Sequence, residues 1–303
     1  MANQANATRM TQMALMHGLA EQTAEFTRAG RVVTGPGGGF AVSGRAVGGL
    51  AATLAKTTSS LSATDIANFE AQVTTAHKVI KHTVNNKLLT TDMGYEDIGG
   101  ELANKIMVSM DKDFFDFCEG LFSASHPRAG AGVFEVGAGK SYLDTGLAFL
   151  QTEGGAGTQD NLITTAFSEN ALDAALQLLW KYKDDRGVPL HLGLRGGVTL
   201  VVGPKNRKAA HEIVNSNLSG ADMAVNTTKA LISDIVCWNL TTDEDDWWIV
   251  DMNNAPIGTY IAAAPSVTVS PSADRLFTHF VAEYESVPFK LPYEYGIIGS
   301  NVA

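Results

Sequence analysis

Cysteine is nearly absent from this 303-residue chain, with Cys118 and Cys237 the only two. They lie far apart and form neither a CxxC pair nor a Cys/His cluster, which excludes a disulfide framework and a zinc site of familiar spacing and leads to the expectation of reduced, cytoplasmic thiols. Basic residues are also scarce: 22 Lys and Arg stand against 32 Asp and Glu, for a formal charge of −10. Such a balance disfavours tight binding to nucleic acid or an anionic membrane through phosphate neutralisation, so any association with DNA is expected to be containment and not recognition. No run of about 18 apolar residues offers a membrane span. The N-terminus lacks the basic start and apolar core of a signal peptide, and the expectation is a soluble chain made in the cytoplasm. His126, His191, His211 and His279 are scattered without HExxH or comparable spacing, and no serine sits in a GxSxG elbow.

What is present is ordinary for a folded protein: 45% hydrophobic and 18% charged residues, enough chain for one elaborate domain or two smaller ones. The organising stretch is Gly197 to Leu218. Val198, Leu200, Val201 and Val202 form a β-branched apolar run that reads as a strand buried on both faces, stopped by Gly203 and Pro204. Pro204 suits the first turn of a helix, where its missing N–H has no intrahelical partner. Ala209, Ala210, Ile213, Val214 and Leu218 then give that helix one apolar stripe.

Upstream, residues up to about Arg28 predict an amphipathic helix through Met10, Met13, Leu15, Met16, Leu19 and Phe26, expected to pack on a neighbour. Gly30 to Ser62 is rich in Gly, Ser and Thr and reads as a long extended excursion of the kind used for interaction arms. Phe69 to Leu89 alternates Val, Ile and Thr and predicts one or two strands. After Asp92 or the Met93-Gly94 turn, Ile98, Leu102, Ile106, Met110, Phe114, Phe117 and Leu121 hold one stripe for roughly seven turns and predict the longest helix in the molecule, closed by Ser125-His126-Pro127. Arg128 to Gly157 reads as loops with a minor hairpin. A further helix starts near Ser168 as N-cap and carries Leu172, Leu176, Leu179 and Trp180. Leu231 to Leu240 and Trp247 to Met252 predict a hairpin with its tip at Thr241 to Asp246, and Val267 to Val269 and Leu276 to Tyr284 predict later strands.

Candidate chemistry is thin. Gly137-Ala138-Gly139-Lys140-Ser141 ends like a phosphate-cradling P-loop, but Phe134 stands where the loop needs glycine, and Asp144 and Gly146 follow where a helix should run. A glycine-rich surface loop is the plainer reading, with a nucleotide-binding enzyme as the rival. His77 and His82 are five apart in a strand and point to opposite faces. Asp243-Glu244-Asp245-Asp246 lacks the alternating ligands and glycine of a calcium loop and reads as a solvated hairpin tip. Cys118 falls among Phe114, Phe115 and Phe117 as a buried thiol. Asp111 and Asp113 read as the wet face of the long helix, and of Trp247 and Trp248 one should be core and the other exposed or at an interface. No catalytic, cofactor-binding or metal-binding residue is assigned.

Taken in order, the segments Lys81 to Pro127 (KHTVNNKLLTTDMGYEDIGGELANKIMVSMDKDFFDFCEGLFSASHP), Asn170 to Leu218, LISDIVCWNL and WWIVD resemble the Hong Kong 97-type major capsid proteins of tailed phages, and among these the Mu-like major head subunit family. The likeness spans about Val73 to Asp251 and rests on structural patterns, not catalytic signatures. It implies an α+β capsid fold divided into an N-terminal arm (1–29), an extended loop (30–68), a peripheral domain (69–135) with a spine helix near 94–122, an axial domain (136–264) and returning C-terminal strands (265–303). It implies a structural head protein and no enzyme, self-assembling as hexamers and pentamers into an icosahedral shell around double-stranded DNA. The virion would be assembled in the host cytoplasm. The chain has no room for the long N-terminal scaffolding region that some members cleave away, so a separate scaffolding protein and a portal are implied as partners, and a decoration protein is left open. Some members crosslink a loop lysine to an asparagine, and Lys56 is the only lysine before Lys78, but no catalytic acid is identified. The nearest alternative keeps the fold and changes the cargo: an encapsulin-type nanocompartment shell.

Overall fold

The computed structural model describes residues 2–21, 24–35, 40–45, 68–73, 75–91, 94–123, 141–148, 158–183, 189–194, 196–216, 226, 228–239, 243–291 and 294–301. Helix α1 (Ala2–Glu21) and the single turn α2 (Phe26–Ala29) precede strands β1 (Arg31–Thr34), β2 (Phe40–Arg45), β3 (Asn68–Val73) and β4 (Ala76–Asn85). Helices α3 (Asn86–Thr91) and α4 (Tyr95–Gly120) follow, then the short strands β5 (Leu147–Ala148), β6 (Thr158–Gln159) and β7 (Leu162–Ile163) and helix α5 (Glu169–Lys181). The chain continues through β8 (Val198–Val202), α6 (Arg207–Asn215), β9 (Ile232–Cys237), β10 (Trp247–Asp251), β11 (Ile257–Pro271), β12 (Phe277–Lys290) and β13 (Ile297–Ser300).

α4 is the long helix that the four-residue stripe predicts. Ile98, Leu102, Ile106, Met110, Phe114 and Cys118 are all buried. Asp97 accepts a hydrogen bond from the Gly94 amide at 3.0 Å, and with Glu96 it places negative charge where the helix N-terminus favours it. α5 begins where expected, the Ser168 hydroxyl accepting from the Ala171 amide at 3.2 Å.

The strands form two principal sheets, ordered β1-β11-β12-β4 and β7-β13-β10-β8-β9. The first is dominated by the β11–β12 hairpin, whose register slips twice between Ile261 and Ser266, the positions where a long ribbon can bend. In the second, β8 lies between β10 and β9 with all five residues buried, which is why its sequence is a continuous apolar run without alternation.

That placement corrects the expected hairpin of Leu231–Leu240 with Trp247–Met252. β9 runs parallel to β8 on one side and β10 antiparallel to it on the other, so the two never pair. The β8–α6–β9 unit is a parallel crossover, and the most apolar strand takes the central place that both neighbours cover. The same sandwiching corrects the reading of Trp247 and Trp248, which are both buried at 0% and 2% exposure. Trp248 faces α4, its ring centroid 6.4 Å from that of Phe115, while Trp247 meets Phe167 edge-on at 5.2 Å on the opposite face. Among the described residues there are two large cores, one joining α1, α4, the first sheet and the near face of the second, the other filling the far face beneath α5 and α6, and a small third cluster around Tyr260 and Phe289.

Candidate functional site

Most residues singled out for chemistry are dispersed. Gly137 to Lys140, Lys56 and His126 lie outside the described residues, while Ser141 is buried with its amide donating to Asp144 Oδ2 at 3.1 Å. His77 and His82 point to opposite faces of β4: His77 lies 3.7 Å from Glu283, and His82 lies 3.9 Å from Glu101 of α4. His279 bonds Thr83 at 3.0 Å, His211 lies 3.3 Å from Asn215, and His191 stands apart at a positive φ of 53°. Among the described residues no group of three or more His, Cys, Asp or Glu could hold a metal ion. Cys118 is buried, and that burial pushes its thiol well above the usual range, the opposite of a reactive thiolate.

Two acidic readings need correction. Asp246 is buried at 5% exposure, so only part of the Asp243–Asp246 run is wet; Asp245 takes Lys205 at 2.6 Å. Asp111 is not on a wet face of α4 either. It is buried at 8% exposure, and its Oδ1 accepts a hydrogen bond of 2.9 Å from the Phe26 amide. Burial raises its pKa to about 6, against the lowering effect of the Phe26 and Glu25 amides. Asp113 is half-exposed and pairs with Lys78 of β4.

The arrangement that does converge is a set of surfaces and joints. α1 lies on α4 through small residues: a Cβ on Gly99 would stand 2.6 Å from Ala14 Cβ and 2.7 Å from the Thr11 carbonyl, and one on Gly18 would stand 2.9 Å from Ala103 Cβ. The N-terminal helix therefore packs on its own chain, and its buried face (Ala7, Thr11, Leu15) is spent there; Met10, Met13 and Met16 are exposed on the other side. Arg31–Thr34 belongs to the first sheet, paired parallel with β11. β2 and β3 form a separate antiparallel ribbon from Phe40↔Val73 to Arg45↔Asn68. Beside α2 a cavity of about 300 Å³ is lined by Arg28, His211, Asn215, Lys229 and Asp234.

No family model and no curated protein matches the chain. Solved structures do. A virus-like particle from Pyrococcus furiosus is 14% identical with a TM-score of 0.54 over 97% of this chain and 99% of that chain. The capsid of the cyanophage P-SCSP1u is 12% identical with a TM-score of 0.56 over 90% and 86%. A phage-related protein from Bordetella bronchiseptica RB50 is 11% identical with a TM-score of 0.56 over 95% of each chain. At these identities the likeness is one of fold, and the fold is the Hong Kong 97-type capsid fold, α+β with a long helix and two sheets.

Proposed function

We propose that this chain is the major capsid protein of a tailed phage, assembling as hexamers and pentamers into an icosahedral shell that encloses double-stranded DNA. The observation that carries the reading is the end-to-end likeness to a virus-like particle and a phage capsid, 90% or more of this chain in each case. The pieces have natural places in such a shell. α4 with the first sheet forms the peripheral domain, the second sheet with α5 and α6 forms the axial domain, the β2–β3 ribbon belongs to the extended loop, and α1 with α2 forms an N-terminal arm folded back on its own subunit. The role is structural and not enzymatic. The order of segments from Val73 to Asp251 supports the Mu-like head subunit family as the subgroup. A separate scaffolding protein and a portal are the partners of such a subunit, assembly occurs in the host cytoplasm, and the mature location is the virion.

Particles purified from producing cells and treated with nuclease test this directly. A large, uniform species holding nuclease-resistant double-stranded DNA is expected. A shell of the same size holding protein and no DNA would transfer the chain to the nanocompartment class, and a persistent monomer or dimer would contradict both.

A further inference from the structure

Among the described residues the two principal sheets end in four edge strands, β1 and β4 in the first, β7 and β9 in the second. An open edge offers its backbone groups to any other strand, and proteins blunt it by shortness, by charge or by a cover. β1 has four residues and β7 two, which leaves little to pair with. β4 is ten residues long but carries His77, Lys78, Lys81 and His82. β9, Ile232-Ser233-Asp234-Ile235-Val236-Cys237, has six residues, a single charge and three β-branched apolar side chains, so neither length nor composition protects it. Its backbone is protected differently. The Trp238 amide donates to the Val202 carbonyl at 3.1 Å, so in this parallel ladder Val236 and Trp238 turn toward β8 while Ile235 turns its amide and carbonyl outward. Both outward groups are taken: the amide donates to Asp234 Oδ1 at 2.8 Å, and the carbonyl accepts from Arg28 Nη2 at 3.0 Å. Arg28 in turn donates to both Asp234 oxygens at 2.7 and 2.6 Å and to Glu25 at 2.6 Å, on a turn anchored by buried Phe26 and Ala29. At Ser233 the register with β8 slips by one residue and the Ser233 hydroxyl donates to the Val198 carbonyl at 3.1 Å, a bulge that breaks the flat ladder another strand would need.

We propose that the Arg28–Asp234 pair is an edge guard: it occupies both outward backbone groups at the centre of β9 and so stops the second sheet of one copy from pairing edge to edge with that of another. A second copy of this chain is the strand excluded, because an edge is read through its backbone and antiparallel pairing about Ile235 is self-complementary. In that arrangement the two Ile235 residues would exchange amide and carbonyl across a twofold axis. The guard would leave copies to meet through other surfaces. Its two side chains are each about a third exposed, so the pair adds little to folding, and its effect lies in what the edge can meet. Removing both side chains should therefore leave the subunit folded and its β9 edge open.

Sedimentation velocity of the purified full chain over a concentration series tests the guard. Whatever species the wild type forms, monomer or shell, is the baseline, so the outcome does not depend on the shell reading. Arg28→Ala/Asp234→Ala should add edge-paired dimers and larger species at a concentration about tenfold below any at which the wild type shows them, the worth of roughly one freed backbone hydrogen bond. Two further substitutions close the edge again by different means. Ile235→Pro removes the outward amide without taking a bond from β8, and Ser233→Lys puts a charge on an exposed edge position. Added to the double variant, each should restore the wild-type distribution, whereas association through a loosened core would survive both. A double variant that sediments like the wild type, or association that both added substitutions leave in place, would overturn the proposal.

Discussion

Asp111 and Asp234 are carboxylates on either side of α2 with opposite dependence on pH. The Asp234 pKa is lowered, first by its hydrogen bond from Arg28, so its contribution to folding is present above the ordinary carboxylate range and fades as pH falls through its lowered value. That pair is a third exposed, which keeps its worth small. Asp111 is raised to about 6, so its contribution to folding is full below the ordinary carboxylate value, is lost as pH rises toward 6 and stays lost above it. Asparagine can keep the bond from the Phe26 amide without the buried charge. Asp111→Asn should therefore gain on the order of 1–3 kcal/mol at pH 7.5 in urea unfolding and lose that advantage near pH 4. Equal stability of the two proteins at both pH values would contradict this assignment. Phe115, stacked 4.4 Å from Trp238 and edge-on to Phe114 at 5.2 Å, is the aromatic joint between α4 and the second sheet. Phe115→Ala should cost about 3–5 kcal/mol in the same assay, and a loss below 1 kcal/mol would show that this joint does not hold the core.

At the level of elements, the α1–α4 contact depends on absent side chains. Gly99→Val would place carbon within 3 Å of Ala14 and the Thr11 carbonyl, both on a helix that cannot yield locally, so α1 should lift away while α4 and the two sheets persist. Faster exchange confined to α1 amides is the expected result; exchange unchanged from wild type would mean that the helices separate at little cost. The elements themselves were legible wherever one face is buried by local repetition: the four-residue step along α4, the Ser168 cap of α5 and the apolar run of β8 are written in adjacent residues. What depends on distant partners was not. Nothing near Trp247 and Trp248 announces that β10 is covered on both sides, because the covers come from Phe115 and Phe167. The role of Asp111 is set by an amide 85 residues earlier. The β9 and β10 runs look like a hairpin because strand signals carry no partner, and the central place of β8 appears only in three dimensions. The scatter of histidines and cysteines was readable as a lack of clustering, since spacing alone keeps His77 and His82 apart.

For the whole molecule, a closed shell repeats a few interfaces under symmetry, so many modest contacts between copies sum to a stable particle. Each copy carries a formal charge of −10. Mutual repulsion should oppose assembly at low ionic strength and be screened by salt, so raising salt from about 0.01 M to 0.15 M shortens the screening length from roughly 30 Å to 8 Å and should promote assembly in light scattering. Assembly that weakens over that range would point instead to interfaces built on exposed ion pairs. The most direct test of the shell assignment is electron cryo-microscopy of the recombinant chain after size-exclusion chromatography, alone and co-expressed with a candidate scaffolding protein. Closed polyhedra built of pentamers and hexamers, with α4 and the β11–β12 hairpin recognisable in each subunit, are the predicted result. A homogeneous monomer or dimer under both conditions would contradict it.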